Sequence, residues 1–136
     1  MIKIIVIAHG ELAQELVNSA ETIAGKQPNL YAVKRDNSDS LIHMQEKVGD
    51  LLKNINDEYG TLILADMIGG TPCNASVPMC RSFNIEILSG VNLPMVLSAV
   101  FSSKNAISAL DLVEKILLDG QKSIINVKKA IFNKIK

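Results

Sequence analysis

Three stretches of this chain, residues 2–8, 61–65 and 85–88, are almost continuously apolar and rich in β-branched side chains. A strand with one wet face alternates apolar and polar residues. Unbroken runs of this length read instead as strands buried on both faces of a parallel sheet. Residues 30–34 supply another strand. Between the runs the period changes. Leu12, Leu16, Val17, Ala20 and Ile23 recur at helical spacing, with Gly25 as a stop signal. Leu41, Met44, Val48, Leu51, Leu52 and Ile55 form a second stripe, preceded by turn and cap chemistry at 37–40. A helix is predicted over 71–83, with Thr71 as its cap and Pro72 at its first position, and Pro78 should kink it or break it in two. Residues 89–94 read as a loop, and 95–102 and 108–119 as helices. A short β-branched stretch follows at 123–127, then a basic, frayable tail through Lys136. Strands alternating with helices predict an α/β fold, a parallel sheet wound on both sides. Its first and third strands are expected side by side.

Length and composition fit this picture and narrow it. At 136 residues the chain makes one domain with a sizeable core, placed at 1–128, with 129–136 as tail. Apolar residues are 48% of the chain and aromatic residues 4%, so the core must be aliphatic. Basic and acidic residues balance at 14 each, and the absence of a basic stripe argues against nucleic acid as a partner. The longest mainly apolar stretch, 93–101, is far short of the roughly 20 residues of a spanning helix. The N-terminus lacks a signal-peptide layout. Cys73 and Cys80 have neither zinc spacing nor a disulfide framework and read as reduced packing thiols of a cytoplasmic protein.

Candidate chemistry lies where two of the strands end. His9 follows the first strand directly and precedes Gly10; Asp66 stands in the equivalent place after the third. In open α/β sheets ligands bind at the carboxyl ends of the strands. If these strands are neighbours, the Asp66 carboxylate accepts a hydrogen bond from one ring nitrogen of His9. That fixes the tautomer and frees the other nitrogen as a nucleophile. Asp66 could instead only cap the loop after it. Gly69-Gly70-Thr71-Pro72 favours the chemical reading: two glycines allow close backbone approach, a helix opens beside them, and Thr71 adds a hydroxyl. Together these predict a phosphoryl pocket next to His9. The chain has no P-loop and no dinucleotide fingerprint, so a nucleotide site is not expected. No metal or cofactor is expected, since no acidic cluster accompanies His9. His43 lies off the apolar stripe of its helix and reads as an exposed bystander. Met67 and Ile68, apolar in an exposed loop, read as a docking surface.

At these residues the chain strongly resembles the IIA component of the mannose-type bacterial sugar phosphotransferase system. The resemblance rests on Val6-Ile7-Ala8-His9-Gly10, on the run from Asp66 through Gly69-Gly70-Thr71-Pro72-Cys73-Asn74-Ala75, and on Gly90-Val91-Asn92-Leu93-Pro94-Met95. It implies four parallel strands in the order 2-1-3-4, with an antiparallel strand, here 123–127, exchanged between two subunits. It also implies that His9 accepts a phosphoryl group from the phosphocarrier HPr and passes it to a IIB component, which phosphorylates a sugar imported by membrane IIC and IID components. Asp66 would orient His9 through Nδ1–H, and Thr71 would bind phosphoryl oxygens. Gly10, Ile68, Gly69, Gly70 and Asn92 would line the site. IIB is expected on a separate polypeptide, leaving this chain cytoplasmic and tied to the membrane only through IIB. Ile68 stands where some relatives have Trp. Two other readings use the same residues: a receiver-like domain phosphorylated on Asp66, and the phosphotransfer subunit of dihydroxyacetone kinase. A non-enzymatic anion-binding module is a third.

Overall fold

A computed structural model describes residues 1–135, with side chains through Phe132. Four strands, β1 (Lys3–His9), β2 (Leu30–Arg35), β3 (Thr61–Ala65) and β4 (Ile85–Leu88), pair in parallel in the order β2-β1-β3-β4. β3 is buried throughout and β1 everywhere but at its two end residues, as unbroken apolar runs require. Their side chains alternate between two cores. Ile4, Val6 and Ala8 pack with Leu62 and Leu64 on one face. Ile5 and Ile7 pack with Ile63 and Ala65 on the other. The first face is covered by α1 (Leu12–Ala24), α4 (Leu93–Ser102) and α5 (Ala109–Lys122), the second by α2 (Leu41–Ile55) and α3 (Thr71–Ser76). The chain leaves β1 toward β2 and leaves β3 toward β4. The winding direction therefore reverses between β1 and β3, and in such sheets ligands bind outside the carboxyl ends of the strands at this switch point.

Several local expectations hold and several shift. Helix α1 buries Ala13, Val17 and Ala20, while Leu12 and Ile23 are exposed. The helix is turned toward its small residues, which let it lie close to the sheet. Ser40 caps α2, its Oγ accepting the His43 N–H at 3.1 Å. The helix expected at 71–83 is indeed broken: α3 ends at Ser76 and the chain tightens into a 3-10 turn over Val77–Arg81 that contains Pro78. Proline has no N–H for the α-helical ladder and crowds the carbonyl four residues back. The α3 N-cap is Gly70, so Thr71 and Pro72 fall one position later than expected. Helix α4 starts at Leu93 rather than 95, because Asn92 caps it and Pro94 is tolerated in a first turn.

The C-terminal stretch differs most. Residues 123–127 form no strand in the single chain: Ser123 closes α5 and Val127 already begins α6 (Val127–Ile135). A strand exists only through its ladder, and here no partner strand is engaged. The tail is thus a helix rather than a frayed segment, with Lys136 outside the described residues. No described helix is long and apolar enough to cross a membrane.

Candidate functional site

β1 and β3 carry His9 and Asp66 to this switch point. The register pairs Ile7 with Ala65, and the Asp66 N–H donates to the Ile7 carbonyl at 3.2 Å, so the ladder continues one residue past β3. Asp66 Oδ2 lies 2.6 Å from His9 Nδ1 and also accepts the His9 backbone N–H at 2.9 Å. Its other oxygen accepts the Met67 N–H at 2.8 Å. Burial, the largest single influence, pushes the Asp66 carboxyl upward, but the His9 N–H, the His9 ring and the Met67 N–H together hold it below its ordinary value. The carboxylate is therefore ionised at neutral pH and can only accept, so Nδ1 must carry the proton. The lone pair is left on Nε2. The His9 side chain is 42% exposed and that of Asp66 10%, which puts the ring at the surface and its anchor beneath it.

Three donors converge on the two Asp66 oxygens, and an amide in that place would turn its NH2 toward at least one of them. The loops on either side are pinned as well. Gly10, at φ +58°, turns the chain away from His9 while its N–H donates to the Arg35 carbonyl at 2.9 Å. The Gly90 and Val91 N–H groups donate to the Asp66 and Ala65 carbonyls at 3.2 and 3.0 Å, which seats the 89–92 loop against the same strand end.

The Gly-Gly turn approaches the ring as expected. Gly69 takes φ +83°, a left-handed conformation that favours glycine. Gly70 has ordinary extended angles but lies so near the imidazole that an added Cβ would sit 3.0 Å from His9 Cε1. Thr71 follows it, half-buried, at the start of α3. Of the residues expected around the ring, Gly10, Asp66 and Gly70 adjoin it, and Gly69 and Thr71 flank Gly70 in the same turn. Ile68 and Met67 are exposed beside it, at 80% and 55%. Asn92 stands on the loop seated against this strand end. Its side chain is committed to the fold, Oδ1 accepting the Met95 N–H at 2.9 Å and Nδ2 donating to Ser123 Oγ at 3.2 Å. It shapes the wall without offering a free donor.

Of the remaining candidates, His43 is exposed, with Nδ1 2.5 Å from Asp39 Oδ1. That pair belongs to a knot at the head of α2, where buried Asp39 also accepts from Lys47 Nζ at 2.8 Å and from the Asp36 N–H at 2.9 Å. Cys73 is buried, and burial together with the Asp66 charge raises its thiol, which keeps it protonated and inert at neutral pH. Arg35 was not legible as a site residue. It is the register partner of His9, a relation that exists only once β1 and β2 are paired.

Known proteins resemble this chain over nearly its whole length. The family model described as PTS system fructose IIA component matches residues 3–118. The PTS system fructose-specific EIIA component of Bacillus subtilis is 33% identical over 124 residues, which are 90% of this chain and 84% of that protein. The PTS system mannose-specific EIIAB component of Escherichia coli is 30% identical over 131 residues, 93% of this chain but 40% of that longer protein. Among solved structures, a phosphotransferase system component EIIA from Streptococcus agalactiae superposes with a TM-score of 0.86 at 31% identity, over 95% of this chain and 99% of that one. A mannose/sorbose specific IIA subunit from Enterococcus faecalis gives 0.85 at 28% identity, over 92% and 93%. The family match covers both strand ends, from His9 past Asp66 to the loop after β4, and the chain belongs to the mannose-type IIA components of the sugar phosphotransferase system.

Proposed function

We propose that His9 is the phosphoryl acceptor of this IIA component, taking the group from phosphorylated HPr and giving it to a IIB component that phosphorylates a sugar entering through membrane IIC and IID components. The observation that carries this reading is the 2.6 Å contact between Asp66 Oδ2 and His9 Nδ1 beneath an exposed ring. It assigns the ring proton to Nδ1 and the lone pair to Nε2. In the forward step the Nε2 lone pair forms the new N–P bond while the N–P bond of the donor histidine breaks. The bonding pair returns to the donor imidazole. The proton on Nδ1 stays in its hydrogen bond, and the ring, now carrying positive character, is stabilised by the ionised Asp66. Such a transfer asks chiefly for alignment and for donors to the three equatorial oxygens. Gly69 and Thr71 would supply backbone N–H groups and Thr71 a hydroxyl, whereas the Gly70 N–H is turned to the Met67 carbonyl at 3.4 Å. Met67 and Ile68, apolar and exposed beside the ring, would meet the partner proteins.

The test is direct. Wild-type protein incubated with radiolabelled phospho-HPr is expected to take up label that is stable to alkali and lost in acid, as a phosphohistidine is. His9→Ala is expected to take up none. Label retained by that variant would remove His9 from the reaction.

A homodimer and a cytoplasmic location, with membrane contact only through IIB, belong to the same reading. Ile124 and Ile125 are 81% and 59% exposed, and β4 has an unpaired edge, so a second copy could pair with the segment that is unpaired here. Sedimentation at the mass of two chains is expected. A monomer at high micromolar concentration would contradict it.

A further inference from the structure

Arg35 ends β2 opposite His9 in the parallel register. Registered residues on neighbouring strands point to the same face, with the strands about 4.8 Å apart. The packing identifies that face: Tyr31 and Val33 of β2 join Ile5 and Ile7 of β1 in the layer under α2 and α3. Two residues on, Arg35 and His9 leave the sheet together. The imidazole thus has the β3 carboxylate on one side, and on the other the strand end that carries Arg35 on the same face.

The other cations on this rim are already neutralised. Lys34 pairs with Glu11 at 2.7 Å and Asp36 at 3.4 Å, and Lys47 pairs with Asp39 at 2.8 Å. Among the described residues Arg35 makes no ion pair, and its Nε is shut off from solvent without a hydrogen-bond partner. An enclosed donor with no acceptor is unfavourable, and in native proteins such a group calls for a specific explanation. Arg35 stands in register with His9, and among the described residues no carboxylate pairs with its charge.

Resting on the phosphocarrier reading above, we propose that Arg35 binds the phosphoryl oxygens once the group is on His9. Transfer brings about two negative charges next to the Asp66 carboxylate, and with Lys34 and Lys47 already paired Arg35 is the cation left to offset that repulsion. A planar, permanently charged fork suits phosphate oxygens better than a point charge does. Arg35 takes no part in making or breaking the N–P bond. It stabilises the phosphorylated form and so sets how the group partitions between donor and acceptor.

The experiment compares wild type, Arg35→Gln and Arg35→Lys at one ionic strength, mixed with radiolabelled phospho-HPr and left to equilibrate. The share of label on each variant gives the partition constant. In wild type, the Arg35 side-chain Nε–H signal is followed by NMR before and after phosphorylation. Arg35→Gln is expected to be labelled still on His9, with the partition constant about tenfold lower, ~1.4 kcal/mol, the scale of one charge-assisted hydrogen bond. Arg35→Lys should recover part of the loss, and the wild-type Nε–H signal should move on phosphorylation. A partition constant unchanged in Arg35→Gln would overturn the proposal. So would slower uptake with an unchanged partition and an unmoved Nε–H signal, since Arg35 would then only steer the donor. If Arg35→Gln does not fold, the lysine variant and the wild-type NMR signal decide. Failure of the phosphocarrier reading looks different: wild type takes no label, or His9→Ala keeps it.

Discussion

A methyl group added at residue 70 would stand 3.0 Å from His9 Cε1 and 3.2 Å from Met67 Cγ. The backbone there, φ −81° and ψ 159°, is open to alanine, so the ring rather than the backbone conformation demands glycine. At residue 69 the demand is reversed: φ is +83°, and a Cβ would meet open space. The sequence shows two adjacent glycines and the chemistry they suit, but not that each is there for a different reason. Gly70→Ala is accordingly expected to melt close to wild type while displacing the imidazole. Its single-turnover phosphoryl uptake should fall by roughly 10- to 100-fold, the scale of a misplacement of about 1 Å. Unchanged single-turnover kinetics would show that the ring does not need the space. Asn92 teaches the complementary lesson. Its place in the chain suggested the site, yet its side chain caps α4.

At the scale of elements, periodicity located all four strands to within a residue or so, because buried parallel strands leave a plain apolar signature. The helices were legible in position and less so in orientation. The α1 stripe runs through both large and small residues, and only the closeness of the sheet selects Ala13, Val17 and Ala20 over Leu12 and Ile23. Pro78 announced a break, and the 3-10 turn after Ser76 supplies it. The head of α2 carries a polar knot that no periodicity reveals. Asp39 is held down to about 2 from the model-peptide 3.8, mainly by the Lys47 hydrogen bond and then by the Asp36 N–H. A carboxylate depressed on folding contributes stability fully above its unfolded value and loses that contribution as pH falls through its folded value. The Asp39 contribution is therefore present above about pH 4 and drains away between about pH 4 and 2. Asp39→Asn is expected to be less stable at pH 7 and to lose less further stability over that acid range. Urea midpoints measured at pH 7, 4 and 2.5 check this; parallel acid profiles in the two proteins would contradict it.

For the whole molecule, the decisive fact is which strand ends meet. Adjacency of β1 and β3 followed from two buried runs of like character and from the family likeness, and with it came the His9–Asp66 pair. The Arg35–His9 pairing did not follow, because it depends on the β1–β2 register, which a single sequence leaves open. Nor did the course of residues 123–135, since a stretch that reads as β-branched stays unpaired until some edge receives it. Phosphoryl transfer at this site requires that Asp66 keep the proton on Nδ1 of His9, so that Nε2 does the chemistry. The most direct measurement is nitrogen NMR of the phosphorylated protein, labelled at histidine. The expected result is phosphorus coupling to Nε2 of His9, with Nδ1 still protonated. Coupling to Nδ1, or phosphorus bound to the Asp66 carboxyl with both ring nitrogens free, would contradict the account.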